Sequence, residues 1–94
     1  MTIEQLQLIF HSATSETWHK HSNGGGWVEN TAKVDDSARV YGNALVSGNA
    51  QVYGSARVDG NAQVFCNARV FGNALVDGNA RVSGDAWVDG GIIS

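Results

Sequence analysis

From Ala32 to Val88 a six-residue unit, Ala-x-Val-x-Gly-Asn, recurs without insertion or deletion. A fixed short period constrains a chain more tightly than any local propensity, because every copy has to bury the same side chains in the same way. Counting in sixes from Val28 gives Val34, Val40, Val46, Val52, Val58, Val64, Val70, Val76, Val82 and Val88, and an alanine stands two residues before each of these ten. In extended backbone, residues two apart point to one face and the residue between them to the other. The intervening residues include Lys33, Arg39, Gln51, Arg57, Gln63, Arg69 and Arg81, which suit solvent. Gly-Asn then bends the chain, since glycine takes positive φ freely and asparagine tolerates it. With 12 glycines and no proline, the backbone turns often and keeps its N–H groups for a ladder.

Gly-Asn between alternating runs is also a hairpin signal. A flat meander of such short strands would line up every Ala and Val on one face with no second layer to bury them, whereas a domain needs layers around a core. A solenoid resolves the difficulty. If each hexad forms one side of a three-sided coil, all the Ala and Val side chains enter a common interior and each coil pairs with the next at about 4.8 Å. The eleven units from Val28 to Val88 then make about 3.7 coils, just above the minimum for stacked repeats to hold together. A domain of 94 residues buries a modest share of its surface, so regularity or a partner has to supply stability.

The units ALVSGN, ARVFGN, ALVDGN and ARVSGD resemble the hexapeptide repeats of left-handed β-helix proteins, best known from acyltransferases. The Ala-Arg-Val-x-Gly-Asn variant also resembles repeat segments of bacterial and phage proteins of unassigned function. The resemblance covers Gly26 to Ser94 and implies a left-handed coil. The expected fold is therefore all-β: a single-stranded left-handed parallel β-helix over residues 26–94, preceded by an N-terminal cap over 1–25 made of a short helix and a Gly-rich loop.

With three hexads per coil, residues 18 apart stack. Asn43, Asn61 and Asn79 form one such column, an amide ladder that sets register. Tyr53 falls over Phe71, Tyr41 and Phe65 occupy equivalent slots on neighbouring sides, and Trp27, Leu45, Leu75, Trp87 and Ile93 also point outward. Stacked surface aromatics on a small domain mark an interface more readily than scattered ones, so Tyr41, Tyr53, Phe65, Phe71 and Trp87 are the candidate protein-binding residues. Asp36 and Cys66 replace the repeat's glycine. Asp visits left-handed geometry easily, and Cys66 implies either a different backbone or strain of about 1 kcal/mol. No basic residue flanks Cys66 to activate its thiol.

At the N-terminus, Thr2 and Gln5 have capping-box spacing, and Ile3, Leu6, Ile9 and Phe10 share a helical face. This helix, joined by Trp18, is expected to cover the open end of the coil. His19 and His21 would share one side of an extended segment, but no Cys, Asp or Glu supports a metal site, so His11, His19 and His21 read as solvated. At the other end Ile92 takes an alanine slot. An uncapped β-edge there invites a symmetric contact.

A net charge of −3 with interspersed signs argues against nucleic-acid or anionic-membrane binding. The single cysteine and the absence of a signal-like or membrane-length apolar run point to a cytoplasmic setting. No hexad contains a histidine, so no catalytic residue transfers from the acyltransferases, and no cofactor is implied. Ice binding would need rows of Thr, and none follows Thr31. Arg39, Arg57, Arg69 and Arg81 interrupt the acids that a DNA mimic would need. The expectation is a non-catalytic interaction and assembly module, phage-like in type, that forms homo-oligomers and binds a host protein. The alternative is an acyltransferase-like enzyme with an inter-subunit site served by His11, His19 or His21.

Overall fold

The computed structural model describes residues 3–10, 13–14, 16–22 and 24–93. Each x-Val pair forms a strand of two or three residues, too short to persist alone and held by its neighbours above and below. After α1 (Ile3–Gln7) and β1 (Trp18–Lys20) come β2 (Trp27–Glu29), β3 (Lys33–Val34), β4 (Arg39–Val40), β5 (Leu45–Val46), β6 (Gln51–Val52) and β7 (Arg57–Val58). Then follow β8 (Gln63–Val64), β9 (Arg69–Phe71), β10 (Leu75–Val76), β11 (Arg81–Val82), β12 (Trp87–Asp89) and β13 (Ile92–Ile93).

These strands sort into three sheets, ordered β1-β2-β5-β8-β11, β3-β6-β9-β12 and β4-β7-β10-β13. Every pairing from β2 onward is parallel, which a meander of hairpins cannot produce. The chain is a β-solenoid. Val28, Val46, Val64 and Val82 stand in one register column, and Val34, Val52, Val70 and Val88 in another.

The core is the column predicted from the repeat: Ala38, Val40, Ala44, Val46, Ala50, Val52, Ala56, Val58, Ala62, Val64, Ala68 and Val70 are fully buried. Each valine contributes about 1.5–3 kcal/mol through burial. Alanine is needed beside it because the interior is narrow, so that a larger side chain at those positions would overpack. Between coils, alternate backbone N–H groups reach the carbonyl 17 residues on: Arg39 to Ala56 at 3.0 Å, Tyr41 to Val58 at 3.0 Å, Asn43 to Gly60 at 2.8 Å. Side chains repeat the pattern at the corners, where Asn43 donates to Asn61 at 3.3 Å and Asn61 to Asn79 at 3.2 Å. Cys66 adopts φ 61°. The left-handed turn is kept at that corner, and the cysteine takes the strain. Asp36 differs from the expectation, since Cys66 is the only non-glycine with positive φ among the described residues. The entry coil turns there without a left-handed residue.

The C-terminal rung departs from the hexad count. Leu75 pairs with Ile92 and Val76 with Ile93, a spacing of 17, so Ile93 continues the column of Val40, Val58 and Val76. Gly91, at φ 76°, takes the slot that the count assigned to Ile92. Ile92 consequently points outward, 72% exposed.

The N-terminal helix, expected over the open end of the coil, packs instead on an outer flank. Leu6, Ala13 and Trp18 form a second core with Trp27 and Leu45, which point out of the first two coils, and Ile3 and Phe10 pack beside it. Because α1 stops at Gln7, Ile9 leaves the apolar face and is 48% exposed. Residues 18–20, expected as part of a helix-and-loop cap, form a strand antiparallel to β2. At the top of β4 two carbonyls would lack a preceding coil. Gly26 N–H donates to Val40 O at 2.6 Å, and His21 Nε2 meets Ala38 O at 2.8 Å. His21 is thus buried and structural, contrary to the solvated reading, because an edge carbonyl under the cap needs a donor. His19 is exposed, as expected, with Nδ1 2.7 Å from Asn30 Oδ1. Thr2 and His11 lie outside the described residues.

Candidate functional site

The interior is filled, so chemistry has to occur on the outer sides. The five candidate residues divide among three of them. Tyr53, Phe71 and Trp87 meet on the side built by β3, β6, β9 and β12. Tyr41 lies on the β4-β7-β10-β13 side and Phe65 on the β2-β5-β8-β11 side, so neither joins that group.

The aromatic group follows from register. Tyr53 and Phe71 come after the valines of β6 and β9, which pair in register, and their rings stack at 5.1 Å with an interplanar angle of 4°. Trp87, on β12, meets Phe71 edge-on at 5.9 Å and 81°, geometry that suits the ring quadrupoles. Arg69, one coil above Trp87, places its guanidinium 4.9 Å from the indole centroid. Trp87 nevertheless remains 64% exposed. A large, rigid, half-wet ring held by a guanidinium and a phenyl edge has the composition of an interface anchor.

Charged and polar residues flank this group in two columns. Lys33, Gln51, Arg69 and Trp87 occupy the position between Ala and Val, while Asp35, Tyr53, Phe71 and Asp89 follow the valine. Lys33, Asp35, Gln51 and Tyr53 line a shallow depression of about 210 Å³. Hexad counting picked out the aromatics but missed these neighbours. Their signal was present in the 18-residue columns once opposite charges were read across them.

The other sides are more fully committed. On the β4-β7-β10-β13 side the Tyr41 hydroxyl donates to the Asp59 carboxylate, and this bond, with some burial and the nearby negative charge, holds the phenol above its ordinary value of 10.0. Ser55, Arg57, Asn73, Leu75 and Ile92 line a second depression of about 410 Å³ there. On the β2-β5-β8-β11 side, Trp27 and Leu45 are covered by the cap, Lys20 sits 5.5 Å from the Trp27 ring, and Glu29 accepts from the Gly48 N–H at 2.8 Å. Cys66 is an exposed free thiol. Among the described residues, no cluster of three or more His, Cys, Asp or Glu is placed to hold a metal ion, and no helix is long and apolar enough to cross a membrane.

Residues 38–54 match a family model described as the YdcK Beta solenoid repeat. No curated protein and no solved structure matches the chain. Over those residues the chain is similar to that repeat, and its architecture is that of a β-solenoid.

Proposed function

We propose that this chain is a non-catalytic assembly and protein-binding module of the hexapeptide-repeat kind, with its docking surface on the side that carries Tyr53, Phe71 and Trp87. The observation behind this is Trp87: a large exposed ring held in place by Phe71 and Arg69 rather than left mobile. An interface gains from such pre-ordered aromatics because their ordering cost is already met in the free protein. The parallel coils supply the rigidity. A phage-type protein that oligomerises and engages a host protein fits this description.

The acyltransferase alternative has no comparable observation in its favour. It needs a histidine free to act as a base across a subunit boundary, and the Nε2 of His21 is engaged by a backbone carbonyl under the cap. Replacing Tyr53 and Phe71 together by arginine tests the proposal. Light scattering of the double variant should give a smaller assembled mass than that of the parent protein, and an unchanged mass would contradict it.

A further inference from the structure

We infer that the β3-β6-β9-β12 side is complementary to itself and binds the same side of a second copy, with the two solenoid axes parallel and a two-fold axis running along them between the columns. This rests on the assembly reading above and gives it a partner and a geometry.

A two-fold axis along the columns keeps each rung at its height and exchanges the left column with the right. Lys33 then meets the second copy's Asp35, an opposite-charge pair. Gln51 meets Tyr53, an amide against a phenol. Arg69 meets Phe71, a guanidinium against an aromatic ring. Trp87 meets Asp89, an indole N–H donor against a carboxylate. Every contact occurs twice, as in any isologous interface. The antiparallel alternative keeps each column facing itself and inverts the rungs. It sets Asp35 against Asp89 and Lys33 against Trp87, and the juxtaposed carboxylates disfavour it.

The other two sides do not pass the same test. On the β4-β7-β10-β13 side the operation pairs Arg39 with Tyr41 and Arg57 with Asp59, but it sets Leu75 against Asp77. On the β2-β5-β8-β11 side the cap covers Trp27 and Leu45. No described residue of the cap belongs to the core clusters or pairings of the β3-β6-β9-β12 side. Four rungs at about 4.8 Å and two columns give a patch roughly 15–20 Å on edge. Two such faces bury roughly 450–800 Å² in all, below the standard size of a specific interface, so the dimer should be weak, reversible and concentration-dependent.

Sedimentation equilibrium over a micromolar-to-millimolar range tests this with three variants beside the parent protein. Asp35→Lys sets lysine against lysine twice in the parallel dimer and should weaken it by at least about tenfold. Adding Lys33→Asp to it restores opposite charges across the axis and should return the dissociation constant to within about threefold of the parent, which also shows that the exposed substitutions do not act by unfolding the chain. Phe71→Arg should dissociate the dimer. Tighter or unchanged association with Asp35→Lys, or a charge swap that fails to restore binding, overturns the parallel two-fold. If Phe71→Arg still disperses the assembly in that case, the aromatic side remains the assembly surface without this geometry. A parent chain that stays monomeric throughout overturns both.

Discussion

Cys66 shows how strongly the coil dictates backbone geometry. Its φ of 61° is one that a non-glycine L-residue adopts at a cost of about 1–2 kcal/mol, yet the corner does not deform to relieve it. Cys66→Gly should therefore stabilise the protein by about 0.5–1 kcal/mol after allowing for the more flexible unfolded chain, and Cys66→Val should destabilise it, with urea midpoints ordered Gly, Cys, Val. Two glycines separate strain from crowding. A Cβ on Gly60 would lie 2.9 Å from Gly78 N and 3.0 Å from its O, whereas one on Gly84 meets nothing within 4 Å. Gly60→Ala should cost about 2–4 kcal/mol and Gly84→Ala about 1 kcal/mol, and equal costs would show that crowding between coils does not matter. Tyr41 gives a pH prediction. Its folded pKa lies above the unfolded value of 10.0, so its hydrogen bond to Asp59 contributes fully below that pH and is lost as pH rises through the folded pKa. Denaturant titrations above pH 10 should show the parent protein losing stability faster than Tyr41→Phe.

At the scale of elements, the cap distinguishes what the pattern revealed from what it did not. His21→Ala would leave the Ala38 carbonyl without its side-chain partner and should lower stability by about 1–3 kcal/mol. Leu6→Ala should cost about 2–5 kcal/mol by opening a cavity beneath α1. If thermal unfolding leaves both variants at the parent midpoint, the cap is not integral to the fold. The repeat made the parallel coil, its core and its amide ladder legible, because Ala, Val, Gly and Asn each have one role per hexad. The cap was only partly legible: Leu6 and Trp18 signalled burial, but β1 and the position of His21 depend on edge carbonyls that exist only after the coil has formed. Trp27 and Leu45, both apolar, outward and 18 residues apart, were the clue that a flank would be covered. The last rung escaped counting because the chain slips by one residue there, with Gly91 at φ 76° in the slot that the count gave Ile92.

Across the whole molecule, the three sides are unequal. One lies under the cap, one carries the Tyr41–Asp59 bond beside Arg39 and Arg57, and one presents Tyr53, Phe71 and Trp87 between opposite charges. The stacking of Tyr53 over Phe71 and the separation of Tyr41 and Phe65 onto neighbouring sides were legible from the 18-residue period, but the edge-on contact of Trp87 with Phe71 and the seat of Arg69 on its ring were not, because they depend on side-chain geometry across two columns. That separation supplies an internal control. The most direct measurement is the solution mass of Phe71→Arg beside that of Phe65→Arg, by sedimentation velocity at matched concentrations. The proposed assembly requires Phe71→Arg to shrink the particle and Phe65→Arg to leave it at the parent mass. Equal effects of the two substitutions, or none from either, would contradict it.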